Sequence, residues 1–163
     1  MNRRAFSLPE LMIVLLILCI GGMLIIPTAA PTATIRADAA ARILRADLEY
    51  AQVRTISNPD QPVALVVDDT GTGWWLADPE SPTVPIIREG TDEPYRVILG
   101  EGRAQAAGGV AVDVEQLPDG TLQFDTLGGI EGLAVDPKYS FRCEDAEVQL
   151  SVRAGTGFID LHR

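Results

Sequence analysis

The apolar residues of this chain begin with an almost uninterrupted block from Phe6 to Ile26, in which Glu10 is the only charged side chain. As a helix, this block would be about 32 Å long, which matches the hydrocarbon core of a bilayer. The short flank before it is basic, with Arg3 and Arg4, and the next charge after it is Arg36. The pattern predicts a transmembrane helix over residues 6–26, with the N-terminus in the cytoplasm and the rest of the chain exported.

A second apolar pattern, with helical spacing, follows over residues 32–57. Its main stripe, which we expect to face the core, is Ile35, Ala39, Ile43, Ala46, Tyr50, Val53 and Ile56, widened by Leu44, Leu48 and Ala51. Charges of both signs are expected on the remaining surface at Arg36, Asp38, Arg42, Arg45, Asp47, Glu49 and Arg54. An amphipathic helix that packs on a domain has this distribution.

Two prolines, Pro27 and Pro31, separate the two helical segments. Each removes a backbone donor, so we expect a kink or a loosened turn within residues 27–57. A short linker between two helices and a hinge within one long stem both account for these residues, and the sequence does not choose between them.

From Asn58 onward the pattern changes to short strands separated by Gly, Pro and Asp clusters. Residues 58–163 are predicted to form one β-rich domain, with hairpin turns at Pro118–Gly120 and Ala154–Gly157. The predicted strands are Val63–Val67, Trp74–Ala77, Val84–Ile87, Tyr95–Leu99, Val110–Val114, Thr121–Asp125, Val148–Arg153 and Phe158–Leu161. The predicted fold class is therefore α+β.

Glu10 is the residue in the apolar block that needs an explanation. A carboxylate at bilayer depth costs about 2.5 to 3.5 kcal/mol on insertion scales, and such groups are functional by default. The residues around it, Ala5-Phe6-Ser7-Leu8-Pro9-Glu10 followed by a long apolar run, resemble the class III signal of type IV pilins and type II secretion pseudopilins.

This resemblance implies processing by a prepilin peptidase between Ala5 and Phe6, although Ala5 stands where the family usually has glycine. It implies that residues 1–5 are a leader, that Phe6 becomes the N-methylated first residue, and that Glu10 pairs with the Phe6 amine of a neighbouring subunit. Pro27 falls where the family commonly has a proline kink. The implied fold is a pilin-like one, with a long N-terminal helix packed on a small antiparallel β-sheet or β-sandwich domain.

A narrower resemblance is to the minor pseudopilins called GspH/FimT. It rests on Leu48–Ile56, on Pro62–Leu65 with Gly73 and Trp74, and on the closing segment Gly155–Leu161. The implied function is that of a structural subunit of a type II secretion pseudopilus or type IV pilus-like filament in the bacterial inner membrane. The implied partners are prepilin peptidase, other pseudopilin or pilin subunits, membrane lipid, and secreted cargo or the outer-membrane secretin.

The chain has a net charge of −10, and every carboxylate except Glu10 follows the apolar block. Because nucleic-acid binding depends on Lys and Arg at phosphates, no nucleic-acid partner is expected. The two cysteines, Cys19 and Cys143, are expected to lie far apart, so Cys143 is interpreted as a buried small residue.

No catalytic residue, cofactor or metal is predicted. The run Val66-Val67-Asp68-Asp69-Thr70-Gly71, with its Asp-Thr-Gly, resembles the active-site turn of aspartic proteases. Asp68 with Asp69 also offers oxygen ligands for calcium, but an acidic hairpin turn explains the same residues. His162 is the only histidine, which leaves no convincing triad. The alternative to a filament subunit is an exported binding domain, either anchored or released by signal-peptide cleavage after Ala30.

Overall fold

The structure, a computed structural model, describes residues 8–24 and 32–162. The chain divides into two compact units, Met1–Ala30 and Pro31–Arg163. Pro27 and Pro31, where the sequence predicts a kink, lie outside the described residues, so the hinge and the linker both stay predictions.

The first unit contains helix α1, Leu8–Leu24. Glu10 is the acidic residue of its first turn, and the side chains from Leu11 to Leu18 are apolar and exposed. Among residues 8–24 and 32–162, no helix combines the length and the hydropathy needed to cross a membrane.

The second unit begins with helix α2, Ala33–Ser57. Thr32 is extended at its N-terminus, and the N–H of Asn58 donates to the carbonyl of Arg54 at its C-terminus. The buried face of α2 consists mostly of small and branched apolar residues: Ala37, Ala40, Ala41, Leu44, Asp47, Leu48, Ala51 and Thr55.

The main apolar stripe predicted for the inner face of α2 is wrong: its mean direction lies close to half a helical turn from that of the buried residues, whereas the flanking Leu44, Leu48 and Ala51 are buried. Ile35, Val53 and Ile56, assigned to the core from the sequence, are 57%, 60% and 45% exposed. The helix has two apolar stripes, and the one rich in alanine packs inward because small side chains let the backbone approach the sheets closely. Periodicity alone does not distinguish two such stripes.

The first sheet is antiparallel throughout, with strand order β3-β2-β1-β6 and β4 also paired to β2. Its strands are β1 Ala64–Val67, β2 Gly73–Asp78, β3 Ser81–Pro85, β4 Arg96–Ile98 and β6 Thr121–Gln123. Five of the eight predicted strands correspond to these, with boundaries shifted by a few residues.

The second sheet is also antiparallel, with order β5-β7-β8-β9. Its strands are β5 Ala111–Glu115, β7 Lys138–Cys143, β8 Ala146–Val152 and β9 Ile159–His162. The sequence prediction missed β7, an internal strand, although Tyr139, Phe141 and Cys143 alternate there as buried residues with more polar ones.

Helix α2 packs on both sheets and on a 3-10 helix, Gly102–Ala107. The largest fully buried side chains of the shared core are Trp74, Tyr139, Phe124 and Phe141. Cys143 is buried in the same core as a free thiol, as predicted. The α+β class, with an N-terminal helix followed by antiparallel sheets, is confirmed.

The turn at Ala154–Gly157 joins β8 to β9 as a hairpin, as predicted, with Gly157 at φ 63°. The hairpin predicted at Pro118–Gly120 is wrong. Gly120 does adopt a positive φ of 60°, but this turn connects β5 of the second sheet to β6 of the first. It is a crossover between sheets, because the strands on its two sides pair with other partners.

Candidate assembly site

Glu10 lies in the first turn of α1 and is exposed. A carboxylate in a first turn interacts favourably with the partial positive charge of the unpaired N–H groups. The position therefore suits a negative charge and leaves it accessible to a cation from another molecule.

The rest of the described surface of α1 offers no polar face. Between Leu8 and Leu18, each large apolar side chain is between about half and three quarters exposed. A helix that is apolar all round is stable only when it is surrounded by lipid or by other apolar helices. The two predicted properties of this segment, membrane insertion and packing against other stems, both require this surface.

Four residues of the predicted site lie outside the described residues. They are Ala5 and Phe6 at the predicted cleavage and methylation point, and Pro27 and Pro31 at the predicted kink. The pairing of Glu10 with the Phe6 amine is therefore still a prediction.

Pro9 is the second residue of α1. Proline is tolerated in a first turn, because the N–H that it lacks has no intrahelical acceptor there.

Asp47 is a buried charge that the sequence analysis placed on the surface of α2. Its side chain is 1% exposed and accepts three hydrogen bonds, from groups of the first sheet and the segments beside it. The donors are Trp74 Nε1 at 2.7 Å, Tyr95 Oη at 2.9 Å and Arg103 Nη2 at 2.5 Å. A signal was present, since Asp47 falls on the helix face defined by Leu44, Leu48 and Ala51.

The Tyr95 ring is the centre of an aromatic and cationic cluster next to Asp47. It stacks on Tyr50 of α2 with ring centroids 5.4 Å apart, and the guanidinium groups of Arg88 and Arg103 lie 4.9 and 5.3 Å from its centroid. Burial and the Asp47 charge raise the pKa of Tyr95 to about 12. Burial is the largest single influence on Arg103 and opposes its charge, but the hydrogen bond to Asp47, the Asp47 charge and the contact with Tyr95 together outweigh burial and raise the guanidinium pKa.

The C-terminal half of α2 also holds three loops. Thr55 Oγ1 accepts from the Val63 N–H at 3.1 Å, just before β1. Gln52 Nε2 donates to the carbonyl of Gly128 at 2.7 Å and to that of Thr156 at 3.3 Å. These bonds fix α2 to the β domain at points distant in sequence.

The outward face of α2 combines exposed apolar and charged residues. Ile35 and Val53 are 18 residues apart, which places them on one line along the helix after five turns. Between them lie two exposed ion pairs, Arg42 with Asp38 at 2.7 Å and Arg45 with Glu49 at 2.8 Å.

The acidic turn at Asp68 joins β1 to β2 as a hairpin. The Thr70 hydroxyl donates to Asp68 Oδ2 at 2.9 Å and holds the pKa of this carboxyl below its usual value. Thr72 donates to the same oxygen at 3.2 Å. The carboxylate of Asp68 thus stabilises the turn itself. Within the described ranges, no three His, Cys, Asp or Glu side chains are grouped as a metal site.

Comparison with known proteins adds two findings. Residues 1–26 match the sequence profile of the prokaryotic N-terminal methylation motif. The fold is similar to the solved structure of the minor pseudopilin EpsH from the Type 2 Secretion System of Vibrio cholerae, with a TM-score of 0.53 and 12% identity over 77% of this chain and 95% of that one. No curated protein is similar enough in sequence to count as a match. The chain therefore carries a prokaryotic N-terminal methylation motif over residues 1–26 and has a fold similar to that of a minor pseudopilin.

Proposed function

We propose that this protein is a minor pseudopilin, a structural subunit of a type II secretion pseudopilus or of a related type IV pilus-like filament. The observation that carries the proposal is the presence, in one chain, of the methylation motif over residues 1–26 and of a pseudopilin fold after it. The protein acts by assembly and performs no catalysis.

Prepilin peptidase cuts between Ala5 and Phe6, and the new amine on Phe6 is methylated. The helix is compatible with this cut, because a proline at position 9 would have disturbed only the carbonyl of residue 5, which leaves with the leader. Removal of the leader creates the Phe6 amine. It also removes the carbonyl of Ala5, with which the Pro9 ring would otherwise clash in a helix.

Before assembly, residues 6–26 hold the subunit in the inner membrane as a single span, with the C-terminal domain in the periplasm. After assembly, the same apolar surface packs against the stems of other subunits. Its partners are other pseudopilin or pilin subunits and membrane lipid, and the exported domain contacts secreted cargo or the outer-membrane secretin.

In the filament, Glu10 of one subunit pairs with the Phe6 amine of its neighbour. Both charges lie in an apolar environment, where an unpaired carboxylate and an unpaired ammonium would each be costly. Their mutual attraction is stronger there than in water, so the pair favours one axial position of adjacent stems.

The experiment that tests this proposal is the intact mass of the protein purified from bacterial membranes. We expect a chain that begins at N-methylated Phe6, and we expect Ala5→Gly to increase the processed fraction or leave it unchanged. A mature chain that begins at or after Pro31 would indicate a signal peptide. An intact leader with full membrane anchoring would indicate a plain anchor, and either result would contradict the proposal.

A further inference from the structure

Strand β9 has a free edge, whereas the outer edges of β3, β5 and β6 are each partly bonded or protected. Within the part of the chain that the structure describes, Gly71 accepts from the N–H of Val112 in β5, and Glu131 donates to Gln123 of β6. Pro82 and Pro85 remove two donors from β3, which is a common protection of edge strands. β9 contains no proline and pairs only with β8.

The hydrogen bonds of the β8–β9 hairpin show which backbone groups face outward. The N–H of Val152 donates to Pro137, away from β9, whereas the next N–H, of Arg153, donates to Phe158. Because successive residues point to opposite sides of a strand, Ile159, the partner of Val152, directs its N–H and C=O away from β8. Leu161, two residues on, does the same.

Nothing in residues 8–24 or 32–162 bonds to these outward groups of Ile159 and Leu161. The edge thus presents two N–H donors and two C=O acceptors, on residues two positions apart, which is the spacing at which an additional strand would pair.

There is room for a strand beside this edge. Two grooves of about 600 Å³ each lie between β9 and the flank of α2 and share Arg45 and Glu49 in their walls. Ile159 and Leu161 face them from the strand. Phe158, at the mouth, is 57% exposed.

The charges of these grooves indicate what kind of strand fits. Arg42, Arg45 and Arg153 line them against one lining carboxylate, Glu49, and Arg42 is also paired with Asp38, in a chain whose net charge is −10. Arg153 lies 5.9 Å from the Phe158 ring centroid and has no carboxylate within ion-pair distance among the described residues. The ion pair of Arg45 with Glu49 is exposed and therefore weak, so an incoming carboxylate can compete for this arginine.

We propose that the free edge of β9 binds one extended segment of a partner protein that carries Asp or Glu at every second position. Its backbone pairs with Ile159 and Leu161, and its acidic side chains enter the grooves beside α2. This binding does not depend on filament assembly, so its test is independent of the mass measurement that tests the proposed function.

The test uses the full-length protein in detergent micelles and a fluorescent peptide of about eight residues that alternates glutamate with valine. A peptide that alternates lysine with valine is the matched probe. We expect saturable binding of the acidic peptide, at least about tenfold tighter than that of the basic one, measured by fluorescence anisotropy.

Two variants of one position separate the backbone donor from the side chain. Both Leu161→Pro and Leu161→Ala lose the leucine side chain, but only proline also removes the outward N–H. We expect a loss of at least about tenfold in affinity for Leu161→Pro relative to Leu161→Ala. Equal affinities of the two folded variants would overturn the proposal.

Hydrogen exchange of the unmodified protein keeps the test decisive if Leu161→Pro does not fold. Bound acidic peptide should slow exchange at the amides of Ile159 and Leu161, and should change that of Asp160, which already faces β8, much less. Absence of binding, equal binding of both peptides, or protection elsewhere would refute the proposal. Dimerisation of the protein through this edge would do so too, since the occupant would then be a second copy.

Discussion

The indole N–H of Trp74 lies 2.7 Å from Oδ2 of Asp47, and the two side chains are 0% and 1% exposed. This hydrogen bond joins α2 to β2 inside the core. A buried carboxylate without partners would be very unfavourable, and Tyr95 and Arg103 supply further hydrogen bonds to Asp47. The four side chains therefore form one hydrogen-bonded unit. The unit makes Asp47 the polar residue on which the packing of α2 depends most.

Replacement of Asp47 by alanine should therefore destabilise the domain strongly. The change leaves the Trp74 N–H and the Tyr95 hydroxyl without an acceptor and Arg103 without its carboxylate, and we expect a loss of about 3 kcal/mol in the free energy of unfolding. Urea denaturation measures it. Glu49→Ala, which removes an exposed carboxylate of the same helix, is the control and should cost less than about 0.5 kcal/mol. Similar losses for both would contradict a buried network.

The stability of the domain should fall at alkaline pH in part through Tyr95. Its pKa in the folded state is raised to about 12, by burial and by the Asp47 charge, from 10.0. The folded state then holds the phenolic proton more tightly than the unfolded state. The contribution of Tyr95 to the free energy of unfolding is therefore complete below about pH 10 and is lost as the pH approaches 12. Tyr95→Phe should flatten this part of the profile, measured by urea midpoints between pH 9 and 11.5. An unchanged slope would contradict the assignment.

Tyr139→Phe should have the opposite effect to most core substitutions. The Tyr139 hydroxyl is buried and has no hydrogen-bond partner in the described structure, and burial raises its pKa. Removing an unsatisfied hydroxyl while keeping the ring should leave stability unchanged or increase it by about 1 kcal/mol. Thermal unfolding of the variant decides this, and a loss above about 1 kcal/mol would show that the hydroxyl has a partner.

Two glycines of the β8–β9 turn should respond differently to alanine. Gly157 has φ 63°, and a Cβ there would collide with the carbonyl oxygen of Gly128 and with the Gln52 amide, whereas a Cβ on Gly155 meets nothing within 4 Å. We expect Gly157→Ala to cost at least about 2 kcal/mol and Gly155→Ala less than about 0.5 kcal/mol. Chemical denaturation of the pair tests the turn, and equal costs would contradict this geometry.

Glu10→Gln should separate anchoring from assembly. The substitution keeps the size of the side chain and removes its charge, so membrane association should be retained while incorporation into filaments falls at least about tenfold. The measurement is the fraction of protein in sheared filaments relative to membranes. Glu49→Gln, on the outward face of α2, is the control for loss of a carboxylate. Unchanged incorporation of Glu10→Gln would rule out the proposed pairing with the Phe6 amine.

Much of the fold could be predicted because its signals are local. The strand pairs joined by the turns at Asp68 and Gly157 follow from alternating residues and from turn chemistry. β7 was missed although its alternation of apolar with more polar residues was present. The crossover at Pro118–Gly120 was taken for a hairpin, because a turn sequence does not show with which strand its neighbours pair.

The orientation of α2 and the burial of Asp47 could not be predicted, because they depend on contacts between residues distant in sequence. A charged residue is exposed in most helices, and its burial here depends on donors 27, 48 and 56 residues further along the chain. Only tertiary structure brings these donors together. The motif around Glu10, by contrast, was readable because it lies in one continuous segment.

The position of Asp47 also has a mechanical consequence. If α2 slid by one turn along the sheets, Ile43 or Ala51 would replace the carboxylate, and three donors would lose their acceptor in the interior. The Asp47 cluster therefore opposes a shift of α2 along the sheets, and we expect a pulling force along the helix to be resisted first at Trp74 in β2.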